Sequence, residues 1–127
     1  THEQSKPETQ YDTVGLEASY LAHGQSQRIS EIKLAIEDWQ ALRHKHFVHD
    51  TPISAGALIQ LIDDNNAISH YLLGNHEGGL KLNFEGTKVL VITQKSPLGQ
   101  KLKGLVVGDE FKHPTLEKVN LEILNLQ

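Results

Sequence analysis

The stretch "SPLGQKLKGLVVGDE", residues 96–110, decides how the rest of the chain is read. Its apolar positions are Leu98, Leu102, Leu105, Val106 and Val107, interrupted by Gly99, Gly104 and Gly108. Lys101 and Lys103 lie within it and Lys95 just before it. The run is too short for an ordinary amphipathic helix and too punctuated for a strand. Capping chemistry resolves it. Ser96 suits a helix N-cap, where a hydroxyl oxygen accepts from an orphan backbone N–H. Pro97 suits the first helical position, where its missing donor costs nothing. Leu98 and Leu102, four residues apart, share one face. Gly104 fits the left-handed position that ends a helix, and Val107-Gly108-Asp109 turns into the next segment. A stub of one or two helical turns is predicted, with one apolar side that needs a concave surface to receive it.

The flanking sequence supplies that surface. Ala57 to Ile62, the turn Asp63-Asp64-Asn65-Asn66 and Ile68 to Leu73 form a hairpin by turn chemistry. A second hairpin follows: Leu80-Lys81-Leu82-Asn83-Phe84 alternates strictly, Glu85-Gly86-Thr87 turns, and Lys88 to Thr93 continues. Gly78-Gly79 is a turn. The last strand, Glu117 to Leu126, sends Val119, Leu121, Ile123 and either Leu124 or Leu126 inward, and its broken alternation predicts a bulge near Leu124. Five strands and one short helix make an α+β domain over residues 51–127.

The first part of the chain has a different period. Residues 1–10 are polar and are expected to be a mobile lead-in. Residues 11–50 are a helical segment, with the helical pattern running to residue 47 and Pro52 setting its limit. Leu21, Gln25, Ile29, Ile32, Ala35, Ile36, Trp39 and Leu42 recur at steps of three and four, a single stripe. Gly15 and Gly24 weaken its first half, by about 1 kcal/mol each at mid-helix. Such a stripe either docks on the remainder of the domain or forms one arm of a coiled-coil hairpin.

Composition narrows the function. The chain has 127 residues, with 16 acidic against 12 basic side chains and a formal charge of −4, the opposite of the basic excess that a nucleic-acid-binding module gathers on one face. There is no cysteine, which excludes disulfides and thiolate chemistry and makes a reducing cytoplasm the simplest setting. No apolar run approaches the ~20 residues of a membrane helix. Methionine is absent, which suits a chain trimmed after initiation or a part of something longer.

Residues Val91 to Gly104, "VITQKSPLGQKLKG", followed by Val107-Gly108-Asp109-Glu110, resemble the C-terminal domain of the Gre factors, bacterial transcription elongation factors with an "I-S-x-x-S-P-L-G-x-A-L-L-G-K-x-V-G-D" signature. Tyr71-Leu72-Leu73-Gly74 and Glu77 are similar to their "Y-x-I-V-G-x-x-E" strand, and the likeness runs in order through residues 51–127. It implies an FKBP-like fold, a curled antiparallel sheet around one short helix. It also implies a preceding coiled-coil hairpin that enters the secondary channel of RNA polymerase, with helix 21–47 as the returning arm. The outgoing arm is then missing, and the apolar seam of helix 21–47 is left exposed or covered by a second copy. "YDTVGLEASYLAHGQSQR" is similar to the region around the hairpin tip in a smaller branch of the family.

The resemblance further implies that bacterial RNA polymerase is the partner. Lys95, Ser96, Pro97, Leu98 and Lys101 are then its contact residues, with nucleic acid met only indirectly through the polymerase complex. Cleavage-stimulating members hold the polymerase's second magnesium with an acidic tip. Asp12 and Glu17 lie near that place, but their spacing departs from the acidic motif; otherwise they are solvated acids near a helix start. The hairpin at 80–93 is longer than in the cleavage factors, and either alters the partner-facing surface or extends the sheet. No enzymatic activity, cofactor or resident metal is expected. Two other functions compete with this reading. A prolyl isomerase needs an aromatic-walled pocket, for which only Tyr71, Phe84 and Phe111 are available, with Trp39 expected far away on the long helix. A metal site could be sought in His44, His46 and His49, but such loose spacing suits a polar linker better.

Overall fold

The computed structural model describes the backbone of residues 8–127 and the side chains of residues 22–127. The chain divides into two units, residues 1–36 and 37–127. Helix α1 is Glu8–Leu42, so residues 8–10 are helical rather than part of a lead-in. Residues 1–7 and the side chains of Asp12 and Glu17 lie outside the described residues. Within the first unit Ile29, Ile32 and Ile36 of the predicted stripe are exposed, whereas Ala35 is buried, so the stripe is bare only in part. Arg28 and Glu31 form an i,i+3 ion pair at 3.5 Å, a surface contact that contributes a few tenths of a kcal/mol.

Helix α1 ends at Leu42, well before Pro52. The chain leaves it through turns in which Arg43 N–H donates to Gln40 O and Lys45 N–H to Leu42 O. Burial of Phe47 and Ile53 in the core of the second unit is the gain that breaking the helix early makes available.

Six strands follow: β1 (Leu58–Asp63), β2 (Ile68–Gly74), β3 (Lys81–Phe84), β4 (Thr87–Thr93), β5 (Glu110–Lys112) and β6 (Asn120–Leu126), with helix α2 (Pro97–Leu102) after β4. They make one sheet in the order β3-β4-β2-β1-β6-β5. Both hairpins form as their turn residues require. Asp63 Oδ1 accepts from the N–H of Asn65 at 2.8 Å and of Ala67 at 2.9 Å, and Asn66 takes φ 65°. The β3–β4 loop is Glu85-Gly86, with φ values of 51° and 86°, the two left-handed residues of a tight hairpin.

Two expectations are corrected. The sheet is mixed rather than antiparallel, because β2 pairs β4 in parallel, Tyr71 opposite Leu90 and Leu73 opposite Ile92. It has six strands rather than five: Glu110–Lys112 forms the short edge strand β5 against β6. The bulge stands where alternation failed. Gln60 faces Asn125 while Leu61 faces Ile123, leaving Leu124 unpaired between them and returning Leu126 to the core side.

One face of the sheet carries the core. Ile59, Leu61, Leu73, Ile92, Leu121, Ile123 and Leu126 are buried there with Leu98 and Leu102 of α2. The other face carries Leu58, Gln60, His70, Leu72 and Val89. It borders a groove of about 740 Å³ whose far wall is Leu82 and Phe84.

Candidate functional site

The site starts where β4 ends. Thr93 O accepts from Ser96 N–H at 3.1 Å and from Ser96 Oγ at 2.7 Å. The same Oγ accepts from Gly99 N–H at 3.1 Å, so one hydroxyl caps the helix and ties it to the strand. Ser96 has extended dihedrals and Pro97 begins the helix, as the sequence predicts. Gly99 has no room for a side chain: an ideal Cβ would lie 1.9 Å from Thr93 O. Gln100 Nε2 donates to Lys95 O at 2.9 Å, closing the first turn over the strand's end.

The other side of the stub is anchored in the core. Leu102 is fully buried, and Leu98 and Gly99 are buried too. Leu98 packs into the core as a support beneath the surface and keeps only a small exposed area. The helix exit is held by Gly104 N–H donating to Ile53 O and Ile53 N–H to Leu105 O, both 2.8 Å. Gly104 takes φ 87°, the left-handed conformation expected of it.

What remains at the surface is Lys95, Pro97, Gln100, Lys101 and Lys103, all exposed, with Ser96 half-buried. Among the described residues none of these three ammonium groups pairs with a carboxylate. A small cationic patch thus stands on a rigid turn in an acidic chain. Lys101 also sits in the last turn of α2, where a cation complements the helix dipole. The arrangement offers a fixed shape and positive charge, suited to binding.

A second fixed point was misjudged from sequence. Trp39 lies against Gly74, the last residue of β2, where an ideal Cβ would be 2.1 Å from the indole Cη2. Beside it, His76 Nε2 contacts Asp38 Oδ2, and Gln94 Nε2 donates to Asn75 Oδ1 at 2.6 Å. The tryptophan is thus part of the sheet unit rather than remote from it. The local signal was the glycine after "YLL", since a strand glycine marks a close approach.

The remaining candidates do not converge. Tyr71 and Phe111 pack on the core cluster, whereas Phe84 is 70% exposed at the hairpin tip. Each borders a different concavity. Among the described residues no three His, Asp or Glu side chains are grouped as metal ligands, His44, His46 and His49 included. No described helix is long and apolar enough to cross a membrane.

The fold is thus an α+β unit, a mixed six-stranded sheet with a capped helical stub on its core face. No protein-family model matches the chain, and no curated protein does. Among solved structures it is similar to the GreA factor homolog 1 (Gfh1) protein of Thermus thermophilus, with 14% identity, a TM-score of 0.49, and coverage of 86% of this chain and 93% of that one. It is also similar to Gfh1 of Thermus aquaticus, with 21% identity, a TM-score of 0.47, and coverage of 98% and 76%.

Proposed function

We propose that this chain is a Gre-like regulator of bacterial transcription that binds RNA polymerase near its secondary channel and modulates elongation or transcript cleavage. The observation that carries the proposal is the construction of the Ser96–Leu102 turn. Each residue of the "SPLG" motif has a physical duty there: cap, first helical position, core anchor and close approach to Thr93. The motif that carries the Gre resemblance thus serves to hold Lys95, Pro97 and Lys101 in one exposed arrangement. Charge on such a surface guides encounter and orientation more than it adds affinity.

In this proposal the protein is not an enzyme, acts in the bacterial cytoplasm, and meets nucleic acid only within the polymerase complex. Any RNA cleavage is chemistry of the polymerase, to which Asp12 and Glu17 could lend a carboxylate for a shared divalent cation. Because their spacing departs from the acidic motif, occupation of the channel without cleavage is the second reading. The exposed face of α1 at Ile29, Ile32 and Ile36 is the seam for a coiled-coil arm or, as an alternative cover, for another copy of the helix.

The test is transcript cleavage in stalled bacterial elongation complexes, run beside a direct polymerase-binding assay. Binding with cleavage that is lost in the Asp12→Ala, Glu17→Ala variant supports the cleaving form. Binding without cleavage supports channel occupation. Absence of binding overturns the proposal.

A further inference from the structure

The two edges of the sheet differ in kind. β5 is a three-residue edge with exposed Glu110 and Lys112, a short charged strand of the sort that discourages pairing. β3 is the opposite case. All four of its residues are exposed, and Leu80, Leu82 and Phe84 present apolar side chains at 48%, 39% and 70% exposure. Among the described residues no strand lies beyond it. The tight Glu85-Gly86 loop brings Phe84 opposite Thr87, and Leu82 then stands opposite Val89. By the alternation of an antiparallel ladder, Leu82 and Phe84 bond to β4 while Lys81 and Asn83 direct their main-chain N–H and C=O outward.

We propose that β3 is the pairing edge for a second copy of this chain, the two strands running antiparallel about a two-fold axis at Leu82. The strand is self-complementary about that point. Leu82 meets the partner's Leu82, and Leu80 meets the partner's Phe84, twice over. Every exposed apolar residue of the edge is thereby covered. Lys81 and Asn83 exchange main-chain hydrogen bonds with the partner's Asn83 and Lys81. Lys81 also lies diagonal to the partner's Glu85, within reach of a long side chain. Neighbouring registers are poorer. An axis at Lys81 sets two ammonium groups face to face, and an axis at Asn83 leaves Leu80 outside the contact and asks Glu85, at φ 51°, to continue a ladder. The outer-face grooves lined by Leu82 and Phe84 then adjoin across the axis. The surface is separate from the Lys95–Lys101 turn, so the two can be tested independently.

The absence of cysteine gives a direct test of register. At Leu82 the new pair is not hydrogen-bonded, which sets the two Cα atoms about 4.5 Å apart, within the range a disulfide spans. In the full chain, Leu82→Cys is expected to give a covalent dimer readily with oxidised glutathione, and Val48→Cys, at a 65% exposed position, is expected to do so far more slowly. Sedimentation equilibrium is expected to show a dimer of the unmodified chain that Lys81→Glu weakens about three- to tenfold. Adding Glu85→Lys to Lys81→Glu restores the charge pairing and the affinity. A single-chain mass at all concentrations overturns the proposal, as does equal cross-linking at positions 82 and 48. A dimer abolished by Ile32→Asp yet indifferent to Lys81→Glu also overturns it, since self-association would then belong to α1.

Discussion

The carbonyl oxygen of Thr93 occupies the space in which a side chain on Gly99 would have to begin, 1.9 Å from an ideal Cβ. The obstacle is main chain at the end of β4, so a clash cannot be relieved by a rotamer change. Gly99→Ala is expected to destabilise the sheet unit by at least 1–3 kcal/mol, the usual range for overpacking. Ser96→Ala, which removes the cap, is expected to cost about 1 kcal/mol. Both act on one turn, so the double variant should depart from additivity. Urea unfolding of the four proteins measures this.

Trp39 and Gly74 make a second steric pair. Gly74→Ala places a methyl group inside the indole's space and must expel the ring, at a cost of about 2–4 kcal/mol. In a Trp39→Ala background that clash no longer exists. The same Gly74→Ala change there is expected to cost less than about 1 kcal/mol. A thermodynamic cycle built on unfolding midpoints checks it, and additivity would show that the ring does not rest on this glycine.

Lys101 is exposed and without a carboxylate partner among the described residues, so Lys101→Glu should cost no more than about 1 kcal/mol, the loss of its favourable place in the last turn of α2. If the capped turn is the polymerase-facing surface, the same change weakens polymerase binding severalfold. The loss shrinks as salt screens the charge. Pro97→Ala tests the shape of the surface as Lys101→Glu tests its charge. Unchanged affinity in both variants would move the interface elsewhere.

The unpaired Leu124 permits an unusual deletion. Ile123 and Asn125 already face adjacent residues of β1, Leu61 and Gln60. Removing Leu124 therefore leaves a regular ladder with every side chain on its present face. That variant is expected to unfold cooperatively near the parent midpoint. Deleting Glu122 instead drives Leu121 to the opposite face and should cost about 2 kcal/mol or more. Circular dichroism melts of the two deletions separate the outcomes.

Local chemistry carried much of this protein in the sequence itself. The cap at Ser96, the stub ending before Gly104, both tight hairpins and the bulge at Leu124 each follow from interactions among residues close along the chain, which neighbouring letters spell out. The order of the strands depended on distant partners. Alternation within β2 and β4 is the same whether they run parallel or antiparallel, and nothing in "EFK" marks a strand until β6 lies beside it. The end of α1 at Leu42 rather than near Pro52 was settled by the pull of Phe47 and Ile53 into a core assembled from much later residues. The capped turn divides in the same way. Its cap at Ser96 and its start at Pro97 were legible from the motif, whereas only packing could turn Leu98 inward, seat Trp39 on Gly74 and leave β3 as a bare edge, because burial and strand adjacency are properties of the folded chain and not of any one segment.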